Sequence, residues 1–396
     1  MEKCDVVIVG GGPAGSTCAW NLRRAGLDVA VLDKAAFPRD KLCAGWVTPA
    51  VLALLEIDPG EYGRGRVCQP ITGFRVGKIG GPAVAVDYGR PVSYGIRRIE
   101  FDHYLLERCG ARLRLGEAVR GLERTGRHWV IDGRFSAPML VAAGGHFCPV
   151  ARRLGGEVRA PVVAAQEIEF PLDTRQRSAC RVEPEIPELY FCSDLAGYGW
   201  CFRKGGFLNV GLGREDGDGL SGQTAAFCEW LKQEGRIPHD APAKFHGHAY
   251  YLYRHSPRKL LDDGLLAVGD AAGLASEQSG EGIRVAVESG ELAARVIAAA
   301  GGDYRPARLA PYEEAITAAL GARQRFGGFQ IVPGAIRRFL GGKLLESRWF
   351  VRHVVLDRWF LHRDLDRIIP ANGREPPARG CCPTDGGPGT GSGPPA

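Results

Sequence analysis

Val6-Val7-Ile8-Val9 runs directly into Gly10-Gly11-Gly12-Pro13-Ala14-Gly15. Gly10, Gly12 and Gly15 have the spacing G-x-G-x-x-G, which suits a diphosphate. The first glycine makes a tight turn, the second lets phosphate oxygens approach the backbone, and the third lets a helix pack closely on a strand. A helix opening here presents free N–H groups and a positive dipole end to the anion. The motif alone is weak. In this chain it follows an apolar strand, opens a predicted helix from Ser16 to Ala25, and leads to a second apolar run, Val29 to Leu32, that ends at Asp33. A carboxylate about 20 residues past the glycines is placed to accept hydrogen bonds from a ribose. A glycine-rich turn without a ligand does not account for Asp33, so these residues read as a dinucleotide site.

The elements around the site can be read from periodicity. Phe101 to Cys109 is predicted helical, with Phe101, Leu105 and Cys109 on one face. Leu113–Leu115 and Val119–Leu122 are predicted strands. Trp129-Val130-Ile131, then Asp132-Gly133, then an apolar run ending at Ala143 predicts a hairpin. Short alternating runs dominate from Pro161 to Tyr253: Ala164–Phe170, Leu189–Cys192, Tyr198–Phe202, Leu208–Leu212 and Phe245–Tyr253. One helix, Thr224 to Glu234, interrupts them. This texture predicts an antiparallel sheet with one face over a cavity. A Rossmann-like pattern then returns: strand Gly264–Val268, the turn Gly269-Asp270, and Gly280-Glu281-Gly282-Ile283 before a helix to Ala300. The expected architecture is α/β. It has a discontinuous, three-layer nucleotide-binding domain with a parallel sheet (residues 1–75, 98–160 and 262–305), an inserted antiparallel-sheet substrate domain (76–97 and 161–261), a helical C-terminal segment (306–370) and a disordered tail (371–396).

Composition narrows the function classes. A length of 396 residues suggests two domains and a smaller segment. An apolar content of 45% and a charged content of 24% are those of a globular protein. A net charge of +6 with both signs interspersed gives no reason to expect nucleic acid. Glu2, Cys4 and Asp5 interrupt what a signal peptide would need to be apolar, and no apolar run is long enough to predict a spanning helix. The 12 cysteines form no C-x-x-C pair and read as reduced thiols of a cytoplasmic protein, Cys381 and Cys382 included.

Four segments in order resemble FAD-dependent oxidoreductases of the p-hydroxybenzoate hydroxylase-like superfamily: the glycine turn with Asp33, Arg97-Arg98-Ile99-Glu100-Phe101-Asp102, Gly269-Asp270, and Gly280-Glu281-Gly282-Ile283. The resemblance implies FAD as cofactor. It places the turn Gly10, Gly12, Ala14 and Gly15 at the pyrophosphate and Asp33 on the adenosine ribose. Arg98 falls near the pyrophosphate or ribityl chain, the Val119 backbone at the adenine, and Asp270 on the ribityl hydroxyls. Gly282 and Ile283 reach the flavin N1/O2 edge, where a helix N-terminus favours the anionic reduced ring.

Two further segments resemble the geranylgeranyl reductase family. Lys41-Leu42-Cys43-Ala44-Gly45 is similar to its K-x-C-G-G loop, and Tyr198-Gly199-Trp200-Cys201-Phe202 with Asn209-Val210-Gly211-Leu212-Gly213 to its Y-x-W-x-F-P and N-V-G-x-G pattern. That resemblance puts Cys43 and Ala44 against the flavin and makes Cys43, Tyr198 and Trp200 the catalytic candidates. Tyr198, Trp200 and Phe202 alternate and so share one strand face, an aromatic wall suited to an apolar polyene. The chain departs from the pattern at Arg203, where the family has proline, at Ala44, where it has glycine, and at Ala143-Gly144-Gly145, where the hydroxylases have A-D-G. The last departure leaves the external reductant open between NAD(P)H and a reduced carrier.

The expected function is reduction of C=C bonds in an isoprenoid or prenyl-lipid substrate by hydride transfer from flavin N5. The alternatives are a flavin-dependent monooxygenase or halogenase, and a non-catalytic flavin-binding or electron-transfer protein. A halogenase requires a lysine beside the substrate, for which Lys78 is the nearest candidate. His246 and His248 lie two apart on a strand without a third ligand, so no metal site is expected. The basic, aromatic stretch from Arg337 to Ile369, with Trp349, Phe350, Trp359 and Phe360, allows a peripheral contact at the inner membrane face through residues 337–369; packing on its own domain is the other reading. The sequence does not fix the oligomeric state.

Overall fold

The computed structural model describes residues 1–155, 162–215, 217, 219–323, 342–363 and 367–369. A six-stranded sheet runs in the order Leu261–Asp262, Leu265–Ala267, Met139–Ala142, Val6–Val9, Val29–Asp33, Arg112–Leu115. All neighbours are parallel except the first pair. Val6–Val9 and Met139–Ala142 are buried along their whole length, the continuous apolar pattern of strands covered on both faces. The helices Pro13–Arg24 and Ile283–Ala300 pack on this sheet and on each other. They approach so closely that a Cβ at Gly290 would stand 2.3 Å from the Ala14 carbonyl oxygen.

The second large sheet has seven strands in the order His246–Tyr250, Val163–Pro171, Phe207–Arg214, Gly197–Lys204, Glu188–Phe191, Gly73–Lys78, Ala83–Asp87. It is antiparallel save for one joint, where Glu188–Phe191 runs parallel to Gly73–Lys78. Its faces follow the two-residue period. Tyr190, Cys201, Val210 and Leu212 pack under the helix Leu220–Gln233. Phe74, Leu189, Trp200 and Phe202 face the other way, toward the C-terminal segment and the site.

Several expectations shift. Strand Gly73–Lys78 spans the expected boundary at residue 75, yet it pairs only within the seven-stranded sheet. Val119–Leu122 is not a strand: Val119 lies in a loop, and the strand is Leu122–Thr125. The predicted hairpin exists, with Asp132 and Gly133 at φ 51° and 64°, but its second arm stops at Ala137. Pro138 then breaks the ladder, and Met139–Ala142 joins the parallel sheet beside Val6–Val9. An apolar run alone does not tell a hairpin arm from a buried parallel strand.

In the C-terminal segment, Pro306–Leu320 is a helix, and Arg348–Phe350 continues as a π-helix, Val351–Phe360. Residues 324–341 and the tail expected to be disordered lie outside the described residues. Much of the stretch considered for membrane contact packs on its own molecule: Val351, Val355, Leu356 and Phe360 are buried against the seven-stranded sheet, while Trp349 is 67% exposed. No helix among the described residues is long and apolar enough to cross a membrane. Phe360 stacks on Trp46 at 5.5 Å and meets Tyr198 edge-on at 5.2 Å. Phe360→Ala is therefore expected to destabilise the protein by about 3–5 kcal/mol, read as a lower urea midpoint; an unchanged midpoint would mean that this ring is not seated in the core.

Candidate active site

A cavity of about 380 Å³ lies between the parallel sheet and the seven-stranded sheet. Its nucleotide end is built from backbone. Gly10 has φ 119°, and a Cβ there would stand 2.3 Å from the Ala143 carbonyl group; one at Gly15 would stand 1.9 Å from the Gly10 carbonyl oxygen. Both positions are closed by main chain. Gly12 is different: the nearest atom to a Cβ there is Arg39 Nη2 at 3.4 Å, on the cavity side. Gly12 also begins the helix Pro13–Arg24 with no side-chain cap, and Gly282 begins Ile283–Ala300, whose Arg284 N–H donates to the Glu281 carboxylate at 3.1 Å. Gly12, Ala14, Gly282 and Ile283 all line the cavity. Two helix N-termini in one cavity suit a phosphate group and a ring edge that gains negative charge.

Asp33 sits at the same end. Its Oδ2 accepts from Gly11 N at 2.7 Å and its Oδ1 from Ala35 N at 2.9 Å. A carboxylate retains further lone pairs after these two bonds, so a ribose hydroxyl could still be received. Val119 follows the strand Arg112–Leu115, which pairs in register with Asp33, but it is not among the residues lining the cavity.

Charge in the centre is arranged differently from the sequence expectation. Arg98 is buried, and its guanidinium grips Asp102 through Nε at 2.7 Å and Nη2 at 2.8 Å. It lines the cavity as an ion pair with Asp102. Arg39, which the motifs did not single out, stands beside Gly12 and reaches Asp102 at 3.1 Å. Asp270 is paired with Lys41 at 3.2 Å. Burial alone would push the Asp270 carboxyl up, but Lys41, His248 and Arg98 together hold it below the usual carboxylate range. His248 stands 3.9 Å from the same carboxylate. Burial and the Lys41 ammonium push its imidazole down to about 4, so it is neutral at neutral pH. Among the described residues no cluster of three potential metal ligands occurs.

The far half of the cavity is aromatic, lined by Trp46, Tyr198, Trp200, Phe202 and Phe360. The pairing explains the N-V-G pattern. Trp200 lies opposite Gly211, where a Cβ would be 2.3 Å from the indole, and Trp200 Nε1 donates to Asn209 Oδ1 at 2.7 Å. The Tyr198 hydroxyl donates to the Ser279 carbonyl at 2.6 Å, and burial pushes it well above its ordinary pKa. Both residues thus present rings, and their polar atoms are already engaged. Lys78 is absent from the lining residues; Lys34 and Lys41 are present.

The Cys43 loop lies between the halves. Gly45, at φ 68°, is the glycine it requires, because a Cβ would be 2.1 Å from the Ile96 carbonyl oxygen; Ala44 is accommodated half-buried. The Ala44 carbonyl accepts from Lys204 at 2.8 Å. The Cys43 backbone N–H donates to the buried Glu167 carboxyl. Glu167, Lys204 and Glu169 belong to no motif, and only the alternation of their strands could have placed them at this wall.

A parallel sheet carrying an uncapped glycine turn, joined through a cavity to an aromatic-faced sheet, defines a flavin-dependent oxidoreductase. Residues 5–65 match the family described as FAD dependent oxidoreductase. The chain is 30% identical to a menaquinone reductase of Mycobacterium tuberculosis, over 75% of this chain and 77% of that one. It is 28% identical to a geranylgeranyl diphosphate reductase of Rhodobacter capsulatus, over 78% of each chain. Its fold is similar to that of a geranylgeranyl bacteriochlorophyll reductase-like protein of Thermoplasma acidophilum, with TM-score 0.67 and 23% identity over 87% of this chain and 88% of that one. The protein belongs to the geranylgeranyl reductase-like family of FAD-dependent oxidoreductases.

Two outcomes test the site. Asp270→Ala removes a part-buried acceptor and the partner of Lys41; FAD retention should weaken by about 1–3 kcal/mol, and unchanged flavin content after gel filtration would refute the assignment. His248 gives a pH dependence. Between about pH 6.5 and about pH 4 the unfolded chain binds a proton at His248 that the folded chain refuses, so stability falls as pH falls through that window. His248→Gln should remove about 3 kcal/mol of that loss at most, measured as the difference between denaturation midpoints at the two ends of the window.

Proposed function

We propose that the protein reduces carbon–carbon double bonds in an isoprenoid chain. The observation that carries this reading is the continuity of one cavity from the uncapped turn at Gly12 to the wall of Trp46, Tyr198, Trp200, Phe202 and Phe360. The relatives support the substrate class, since menaquinone and geranylgeranyl diphosphate both carry isoprenoid chains.

Gly12, Ala14 and Asp33 would hold the adenosine diphosphate half of FAD, and Asp270 with Gly282 and Ile283 the ribityl and ring half. When bound and reduced, this flavin supplies a hydride to one alkene carbon. The chain's own residues do the rest. The aromatic wall binds the polyene and excludes water, and the fixed rings of Tyr198 and Trp200 orient it. Lys41 balances the Asp270 carboxylate in the centre of the cavity, and the N-terminus of the helix Ile283–Ala300 opens on the same space.

The test is anaerobic. Protein reduced with dithionite is mixed with prenyl lipids, and the lipids are weighed by mass spectrometry. The expected result is a gain of two hydrogens per turnover as the flavin reoxidises. Lipids unchanged under nitrogen, with oxygen or halogen incorporated once air and halide are admitted, would replace this reading with the oxygenase or halogenase.

A further inference from the structure

Addition of hydrogen across an alkene needs a proton as well as a hydride, and the two polar groups of the aromatic strand are already engaged. The Trp200 N–H is bound to Asn209 and the Tyr198 hydroxyl to the Ser279 carbonyl. Cys43 Sγ receives a long bond from Gly45 N at 3.4 Å. A carboxyl stands immediately beside them. Glu167 lies on the strand Val163–Pro171, faces the cavity, and is 4% exposed. Its register partner is Gly211, which also faces Trp200; a Cβ at Gly211 would be 2.7 Å from the Glu167 Cβ and 2.3 Å from the Trp200 ring. The missing side chain therefore brings the carboxylic acid and the indole together.

Two positions along the same strand face is Glu169, and the environments of the two acids diverge. Glu169 is paired with Lys204 at 2.5 Å and with Arg97 Nε at 2.9 Å. Lys204 directs its other hydrogen bonds to the carbonyls of Ala44 and Ile96. Both cations thus go to Glu169, which is held below the usual carboxylate range despite burial. Glu167 is left with a neutral partner, the Cys43 backbone N–H. Burial raises its carboxyl to about 7, with Lys204 and the Cys43 N–H opposing and Glu169 and Asp40 reinforcing the rise. Two neighbouring carboxyls driven apart in this way mark a fixed anion and an acid ready to donate near neutral pH.

Glu167 also stands in a shared wall. A smaller cavity of about 230 Å³ lies behind it and shares Asp40, Lys41, Cys43, Arg98 and Glu167 with the large one. The remaining charged groups of its wall are Glu169, Lys244 and His246; the last two are exposed. Through the exposed Lys244 and His246 this polar space brings the acid within reach of solvent.

We propose that Glu167 is the proton donor of the reaction, giving its proton to the substrate in the large cavity and recovering one from water in the small one. The inference rests on the reductase reading. The O–H bond of the carboxyl breaks and a C–H bond forms at the alkene carbon that does not take the hydride. The electron pair for the addition comes with the hydride from the reduced flavin. The carboxylate left behind is reprotonated from solvent, so one alkene takes up two electrons and two protons' worth of hydrogen in net terms, H⁻ and H⁺.

The test uses the full-length holoprotein and its Glu167→Gln and Glu167→Asp variants. The first readout needs no turnover: an infrared difference spectrum between acidic and alkaline pH should show one buried carboxyl losing its proton near neutrality, absent from the Gln variant. The second is the anaerobic oxidation of reduced protein by prenyl lipid. The Gln variant should lose about 10²–10⁴-fold in kcat with KM and flavin content unchanged, the Asp variant should recover part of it, and the fall in wild-type rate above neutral pH should vanish in the Gln variant's residual rate. A wild type without the carboxyl band, or a Gln variant that turns over normally, overturns the proposal. If wild type shows the band but hydrogenates no prenyl lipid, the reductase reading falls and takes the donor assignment with it. If wild type and Gln variant hydrogenate lipid at the same rate, the donor assignment falls alone.

Discussion

Burying a helix N-terminus leaves backbone N–H groups that need partners, and this fold brings two helix N-termini to one cavity. Everything near the site is subordinate to that convergence. The helix Pro13–Arg24 reaches its place because Gly10 and Gly15 have no Cβ to strike the main chain at Ala143 and Gly10, and because Gly290 admits the Ala14 carbonyl against the helix Ile283–Ala300. Each contact is backbone against backbone, which side-chain repacking cannot relieve. With both helices seated, Gly12 and Gly282 open on the same space, and a bound diphosphate and flavin ring would satisfy what the protein leaves unmet.

The seven-stranded sheet answers from the other side by separating tasks between its faces. One face is sealed by the helix Leu220–Gln233. The other carries the aromatic wall and, a few residues away, two carboxyls in contrasting surroundings. The Cys43 loop joins the halves: Lys41 pairs with Asp270 on the nucleotide side, while the Cys43 N–H and the Ala44 carbonyl bind Glu167 and Lys204 on the sheet side. The loop thus couples the two ends of the cavity by polar contacts rather than by apolar packing alone.

Much of this was legible in the chain because it depends on local rules. The glycine spacing with Asp33, the helix after Gly282 and the shared face of Tyr198, Trp200 and Phe202 follow from backbone sterics and strand periodicity; the structure has a helix after each glycine turn, and the three rings line one cavity. Reading failed where a local pattern had two tertiary solutions. The run ending at Ala143 reads equally as a hairpin arm or a parallel strand, and Pro138 divides it into both. Arg98, expected near the pyrophosphate or ribityl chain, does line the cavity, but its local pattern did not show that Asp102, one helical turn on, fills its fork.

The sequence by itself determined the class of fold, the nucleotide turn and the aromatic strand, since each is encoded within a few residues by steric limits on the backbone and by alternation. Only the tertiary structure decided which charges are free. Glu167 and Glu169 are the same residue type, two positions apart on one strand, and nothing local distinguishes them. Lys204 and Arg97, brought in from other elements, both pair with Glu169. Electrostatic environment is set by neighbours distant in the chain, and it cannot be read before those neighbours are placed.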